Sequence, residues 1–152
     1  MPLKPGDKAP DFTLLDQRGE PFSLRRALRQ RRARHLLFFY SKADTPGCTA
    51  QACGLRDVAA DIGDTVVLGL SPDTPAKQAK FDEKNGLGFL LLSDSDHAVA
   101  EAYGAWGEKS MYGKKYMGIV RSAFLVDGKG VVAEAWYKVS PKDTAANLLK
   151  AL

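Results

Sequence analysis

Three short apolar runs, separated by polar segments of helix length, constrain this chain more than any other feature. HLLFFYS (residues 35–41), TVVLGLS (65–71) and FLLLS (89–93) are continuous, β-branched or aromatic, and too short for buried helices. Each reads as a strand buried on both faces. The segments between them read as helices: one opened by Thr45-Pro46-Gly47 and running to about Ile62, one over TPAKQAKFDEKNG ending at Asn85-Gly86, and a short one in DHAVAEAYG. Such βαβαβα alternation implies an α/β domain, a central mixed sheet flanked by helices on both faces.

The ends extend that pattern. APDFTLLDQRGEPFSL alternates around a Gln-Arg-Gly turn and predicts a hairpin, followed by a helix capped by Ser23. SAFLVDGKGVVAEAWYKV predicts an antiparallel hairpin around Asp127-Gly128. SPKDTAANLLKAL predicts a closing helix with Ser140 as cap and Pro141 at its first position. No repeat, low-complexity tract or linker interrupts the chain, so a single domain over residues 1–152 is expected. MPLKPGDKAP offers no apolar stretch for a signal peptide and no run is long enough to span a bilayer, so a cytoplasmic location is expected.

The net charge of +4 has an uneven source. RRALRQRRAR, residues 25–34, holds six of the 22 basic residues and no acid, leaving the remainder at net −2. Leu24, Ala27 and Leu28 at helical spacing favour a short amphipathic helix with a solvated basic face. A nucleic-acid binder is disfavoured, because no aromatic residues interleave with the arginines and no recognised motif is present.

Both cysteines, Cys48 and Cys53, fall on the helix behind Thr45-Pro46-Gly47. Cys48 belongs to an apolar stripe with Ala52, Leu55, Ala59 and Ile62, whereas Cys53 points roughly 140° away around the axis. Five residues of helix put their Cα atoms about 8 to 9 Å apart, beyond disulfide reach. Cys48 also sits in the first turn, where unpaired N–H groups and the macrodipole favour a thiolate. Thr45 is the candidate cap and Pro46 suits the first position. Local chemistry alone leaves two readings open, a reactive nucleophile and an inert buried thiol.

FYSKADTPGCTAQACGLRD (39–57), followed by WGEKSMYGKKYMGIVRSAF (106–124), resembles the atypical two-cysteine peroxiredoxins of the bacterioferritin comigratory protein, or Q-type, subfamily. The likeness runs from PGDKAPDFTL to the closing helix. It implies a thioredoxin-like fold, reduction of hydrogen peroxide and organic hydroperoxides, and regeneration by thioredoxin or a similar dithiol. It also implies roles: Cys48 as peroxidatic cysteine, Thr45 as active-site threonine, Arg121 as the arginine of the peroxide pocket, and Cys53 as resolving cysteine. Two positions depart from the pattern. Ser41 stands where the family has proline, and Ala123 where its arginine motif usually has threonine. The serine is expected to loosen the pocket.

Other functions find less support. A redox-responsive binding or chaperone-like protein with little turnover is the alternative that Ser41 keeps open. Metal binding would need converging ligands, yet only His35 and His97 accompany the cysteines, and neither is near them in sequence; both read as structural. No cofactor is expected, and the resemblance favours a monomer. Trp106, Tyr112, Tyr116 and Met117 suggest either an apolar rim to the site or a loop packed over the sheet.

Overall fold

The computed structural model describes residues 3–152. Strand β1 (Thr13–Leu15) pairs with β2 (Pro21–Ser23) as the expected hairpin. Helix α1 (Leu24–Gln30) follows directly, its start capped where Arg26 N donates to Ser23 Oγ at 3.3 Å. Next come β3 (His35–Phe39), α2 (Pro46–Asp57), β4 (Val66–Ser71), α3 (Pro75–Asn85), β5 (Leu90–Ser93) and α4 (Ala98–Ala102). The chain closes with β6 (Trp106–Met111), β7 (Lys114–Ile119), β8 (Ser122–Val126), β9 (Val132–Trp136) and α5 (Asp143–Ala151).

The main sheet has seven strands in the order β2-β1-β5-β4-β3-β8-β9. β3, β4 and β5 run parallel, as strands joined by helical crossovers do, and β8 lies antiparallel to β3. Every residue of β3 is buried, so its side chains feed two cores alternately. Leu37 and Phe39 pack with Leu24 of α1 and Ala100 of α4; Leu36 and Phe38 pack with Ala52 of α2, Phe81 of α3 and Leu148 of α5. Helices therefore flank both faces, in a thioredoxin-like α/β fold.

Local chemistry fixes several joints. Thr74 Oγ1 accepts from Lys77 N at 3.3 Å to open α3, and Gly86 closes it in the left-handed region at φ 55°. Buried Asp94 accepts from Val99 N and Ala100 N, which starts α4. Gly69 in β4 is dictated by packing. A Cβ there would lie 2.8 Å from Leu91 Cδ2 and 2.9 Å from Phe38 Cζ, closer than carbon atoms tolerate.

Three expectations are corrected. The cysteine helix stops at Asp57 rather than Ile62; a separate 3-10 turn, Ala59–Asp61, follows with Ala59 exposed, so the expected stripe breaks there and resumes only at buried Ile62. Ser140 does not cap α5, which begins at Asp143 after Lys142; the Ser140 carbonyl instead accepts from Asp143 N at 3.0 Å in a preceding turn. Residues 106–119 form neither a rim nor a packed loop but a separate two-stranded hairpin, β6–β7. Tyr112, Tyr116 and Met117 are exposed on it, while Trp106 stacks flat on His97 at 3.7 Å and packs with the α1 and α4 core. The histidines have structural settings: His35 is buried with Nδ1 2.9 Å from the Ala33 carbonyl oxygen.

Candidate active site

The register of the sheet brings residues 73 positions apart to one point. Because β8 runs antiparallel to β3, with Phe39 opposite Ser122, the residue before β8 faces the loop that leaves the end of β3. That residue is Arg121, and the loop leads into α2, whose third residue is Cys48. The Arg121 Nη2 donor stands 3.5 Å from Cys48 Sγ. Gly47 permits the approach: a Cβ there would lie 3.1 Å from Arg121 Nη2 and 3.5 Å from Pro141 Cγ. Pro141, read from sequence as a helix-start residue, instead packs against this turn.

Two residues that sequence reasoning passed over hold the guanidinium. Arg121 Nη1 donates to Gln51 Oε1 at 2.8 Å, and Gln51 Nε2 donates to Thr144 Oγ1 of α5 at 3.0 Å. Both Gln51 and Thr144 are buried, so each needs the partner it has. The available signal was positional. Gln51 lies three residues after Cys48, hence on the same buried side of α2, where a polar residue demands a reason.

The loop itself is tied to the neighbouring β4–α3 connection. Ala43 N donates to Asp73 Oδ2 at 2.7 Å, and Ser71 Oγ donates to the same oxygen at 2.7 Å. Gln78 Nε2 reaches Ser71 Oγ at 2.9 Å, and buried Tyr40 donates its hydroxyl to Gln78 Oε1. Burial pushes the Tyr40 phenol far up, so it stays protonated as a donor. Asp44, in the left-handed region at φ 64°, is paired with Lys84 Nζ at 3.0 Å.

Cys48 is 1% exposed, and this burial is the largest single influence on its thiol, pushing its pKa upward. The surroundings together outweigh it. Hydrogen bonding from the Thr45 hydroxyl, backbone hydrogen bonding at Lys42, the Arg121 charge and the Ser41 hydroxyl, in that order, hold the thiol below its ordinary value of 9.0. Thr45 occupies the cap position of α2 without capping it, since its hydroxyl donates to the Lys42 carbonyl at 2.8 Å. That single proton can turn from the carbonyl to the sulfur once the sulfur is ionised. Ser41 Oγ lies 3.8 Å from Cys48 Sγ, so the serine supplies a polar contact that proline lacks. Ala123, by contrast, is buried in the core that contains Cys48.

Cys53 is elsewhere. It is half-buried on another side of the unbroken α2, its Sγ 3.7 Å from Asn85 Oδ1 at the end of α3, and both cysteines are free thiols. Arg56 Nη1 donates to the Asn85 carbonyl at 2.6 Å, which pins the same part of α2 to α3. The structure thus brings Cys48, Thr45 and Arg121 together and leaves Cys53 apart. Among the described residues no group of three or more His, Cys, Asp or Glu side chains could hold a metal ion, and no helix is long and apolar enough to cross a membrane.

A thioredoxin-like sheet with a buried, acidified thiol at a helix start beside an arginine defines a class, the thiol peroxidases. The chain belongs to the AhpC/TSA family, whose model matches residues 5–135. It is 49% identical to peroxiredoxin Bcp of Escherichia coli K12 over 154 residues, covering 98% of this chain and 97% of that protein. Among solved structures it resembles peroxidoxin BcpB of Mycobacterium tuberculosis, with a TM-score of 0.85, 35% identity, and 98% and 96% of the two chains covered. It also resembles the Xanthomonas campestris bacterioferritin comigratory protein, with a TM-score of 0.83, 33% identity, and 92% and 88% covered. That protein was captured in trapped intermediate and ligand complexes bearing on its alkyl peroxide reduction activity.

Proposed function

We propose that this thiol peroxidase reduces hydrogen peroxide and organic hydroperoxides through Cys48, with Cys53 resolving the product and thioredoxin or a similar dithiol regenerating the enzyme. The observation that carries this reading is the Cys48 sulfur, buried at the α2 start with Arg121 Nη2 at 3.5 Å and its pKa held down. The Cys48 thiolate attacks one peroxide oxygen, forming an S–O bond as the O–O bond breaks; the other oxygen leaves as alkoxide or hydroxide and takes up a proton. Negative charge moves from sulfur to the departing oxygen. Arg121 remains charged throughout and follows that movement with fixed N–H donors, while the Thr45 hydroxyl orients the peroxide.

The product is a Cys48 sulfenic acid. Cys53 thiolate displaces its oxygen, which leaves as water after protonation, and the Cys48–Cys53 disulfide forms. A dithiol donor then reduces that disulfide by exchange through a mixed disulfide. Arg121, with Nη2 3.5 Å from Cys48 Sγ where charge develops on the departing oxygen, favours this turnover reading over a redox-responsive protein with little catalysis.

The test is peroxide-dependent turnover with thioredoxin and its reductase, comparing the native chain with Cys48→Ser and Cys53→Ser. Cys48→Ser should abolish turnover. Cys53→Ser should undergo one oxidation and accumulate sulfenic acid, seen by mass as one added oxygen on Cys48. Stoichiometric consumption by the native chain would favour the redox-responsive alternative, and substantial turnover by Cys48→Ser would move the reactive centre elsewhere.

A further inference from the structure

The arginine cluster has no part in the thiol chemistry. Arg25 and Arg29, one turn apart on α1, and Arg32, just past its end, line one side of a cavity of about 540 Å³; Lys8 and Lys129 contribute from the other walls. Asp11 is the one acid there, and it lies 3.9 Å from Arg25 Nε. These six groups carry +4 together, equal to the surplus of the entire chain. Among the described residues Lys8, Arg29, Arg32 and Lys129 make no ion pair.

The cavity opens to solvent, with its five basic residues exposed around it. Its floor is apolar, with Pro10, buried Leu24 and half-buried Leu28. The turn between β8 and β9 closes against the chain beyond α1 so tightly that a Cβ on Gly128 would lie 2.6 Å from the Arg32 carbonyl oxygen. A volume of this size suits a small molecule. Unpaired guanidinium groups around an apolar floor suit one that joins phosphate oxygens to an apolar body, because guanidinium forks match phosphate geometry.

A continuous nucleic-acid stripe fits less well. Arg26 lines a hollow beside Thr13 and Pro21 that shares Arg25 and Arg29 with this cavity, whereas Arg31 lines a separate groove beside Leu55 and Ile62, so the basic run is not one unbroken stripe. The cavity also lies on the α1 face of the sheet, away from the core that contains Cys48. We infer that it is a second ligand site, taking a phosphate-bearing small molecule with an apolar body, such as a nucleotide or a lysophospholipid.

Isothermal calorimetry at low salt tests this with ATP, a soluble lysophosphatidate and pyrophosphate as probes. At least one of the first two should saturate a single site per chain and bind about tenfold or more tightly than pyrophosphate, a margin that burial of a modest apolar area supplies. Whichever of the two binds identifies the source of the phosphate. Arg29→Ser and Arg32→Ser should each weaken that binding by about tenfold while retaining peroxide turnover, which shows that the variants fold. Leu28→Gln should weaken the amphipathic probe and leave pyrophosphate unchanged. Saturation by neither probe, affinity no better than pyrophosphate, or wild-type binding by either arginine variant overturns the inference.

Discussion

Arg121 Nη2 lies 3.5 Å from the sulfur of Cys48 and packs over Gly47 so closely that a Cβ there would stand 3.1 Å from it. Gly47→Ala should therefore separate stability from rate. Alanine favours the helix by up to about 1 kcal/mol over glycine, but its methyl, 3.1 Å from the guanidinium nitrogen, must displace it. Rapid-mixing oxidation should be roughly tenfold slower, on the scale of a weakened oxyanion donor, with an unchanged or raised melting temperature. A variant that is both more stable and as fast as wild type would show that this contact is dispensable.

Gln51 is a positioning residue, acting on the thiol through Arg121. Gln51→Met removes the acceptor 2.8 Å from Arg121 Nη1 and strands buried Thr144 Oγ1, so it should cost about 1–3 kcal/mol of stability. It should also slow oxidation and raise the Cys48 pKa, read from the pH dependence of alkylation. Gln51→Glu keeps an acceptor and should restore the rate in part. Loss of stability with no change in the alkylation profile would reduce Gln51 to a structural role.

The depressed Cys48 pKa fixes a sign for pH dependence. Alkylation of Cys48 should rise with pH and level off below the ordinary thiol value of 9.0. Thr45→Val and Arg121→Met should each move that plateau upward, and both should slow peroxide oxidation. Since the folded pKa lies below the unfolded one, ionisation stabilises the fold; the contribution is full above the unfolded value and disappears as pH falls through the folded value. Chemical denaturation across that window should show wild type gaining on Cys48→Ser as pH rises. A gap that narrows instead would contradict the shift.

The proposed Cys48–Cys53 disulfide requires α2 to open, because the two cysteines lie on different sides of one unbroken helix. Amides 48–54 should be protected from hydrogen exchange in the reduced protein and exposed in the disulfide form. Gly54→Ala offers a graded check, since its Cβ would meet Ala145 Cβ at an ordinary 3.9 Å. Stiffening the helix by about 1 kcal/mol should slow disulfide closure about fivefold and make Cys48 more prone to over-oxidation. Equal protection in both redox forms, with the disulfide verified by mass, would rule out local unfolding.

What could be read in advance follows from burial. β3, β4 and β5 announce themselves because both of their faces are apolar, and α1 and α3 because Ser23 and Thr74 act locally on the next turn. The β6–β7 hairpin escaped because its strands stand clear of the main sheet, so no buried face imposes a period of two. Its one local clue is Tyr112-Gly113, whose φ values of 53° and 77° make a turn with both central residues left-handed. At the site, Cys48 carries a local signature and Arg121 came through resemblance. Gln51 and Thr144 gave no motif, because their pairing depends on α5 docking against α2, a contact between residues 93 positions apart.

The central sheet, with every residue of β3 buried and a separate core on each side, works as a partition. Under the proposed Cys48–Cys53 cycle, α2 unwinds on one side of this partition while the α1 side stays assembled, a folded half on which the helix re-forms. For protein engineering this divides the scaffold in two: the α1 and α4 side can be rebuilt as a fusion joint or sensor surface, while the thiol side is left to its chemistry.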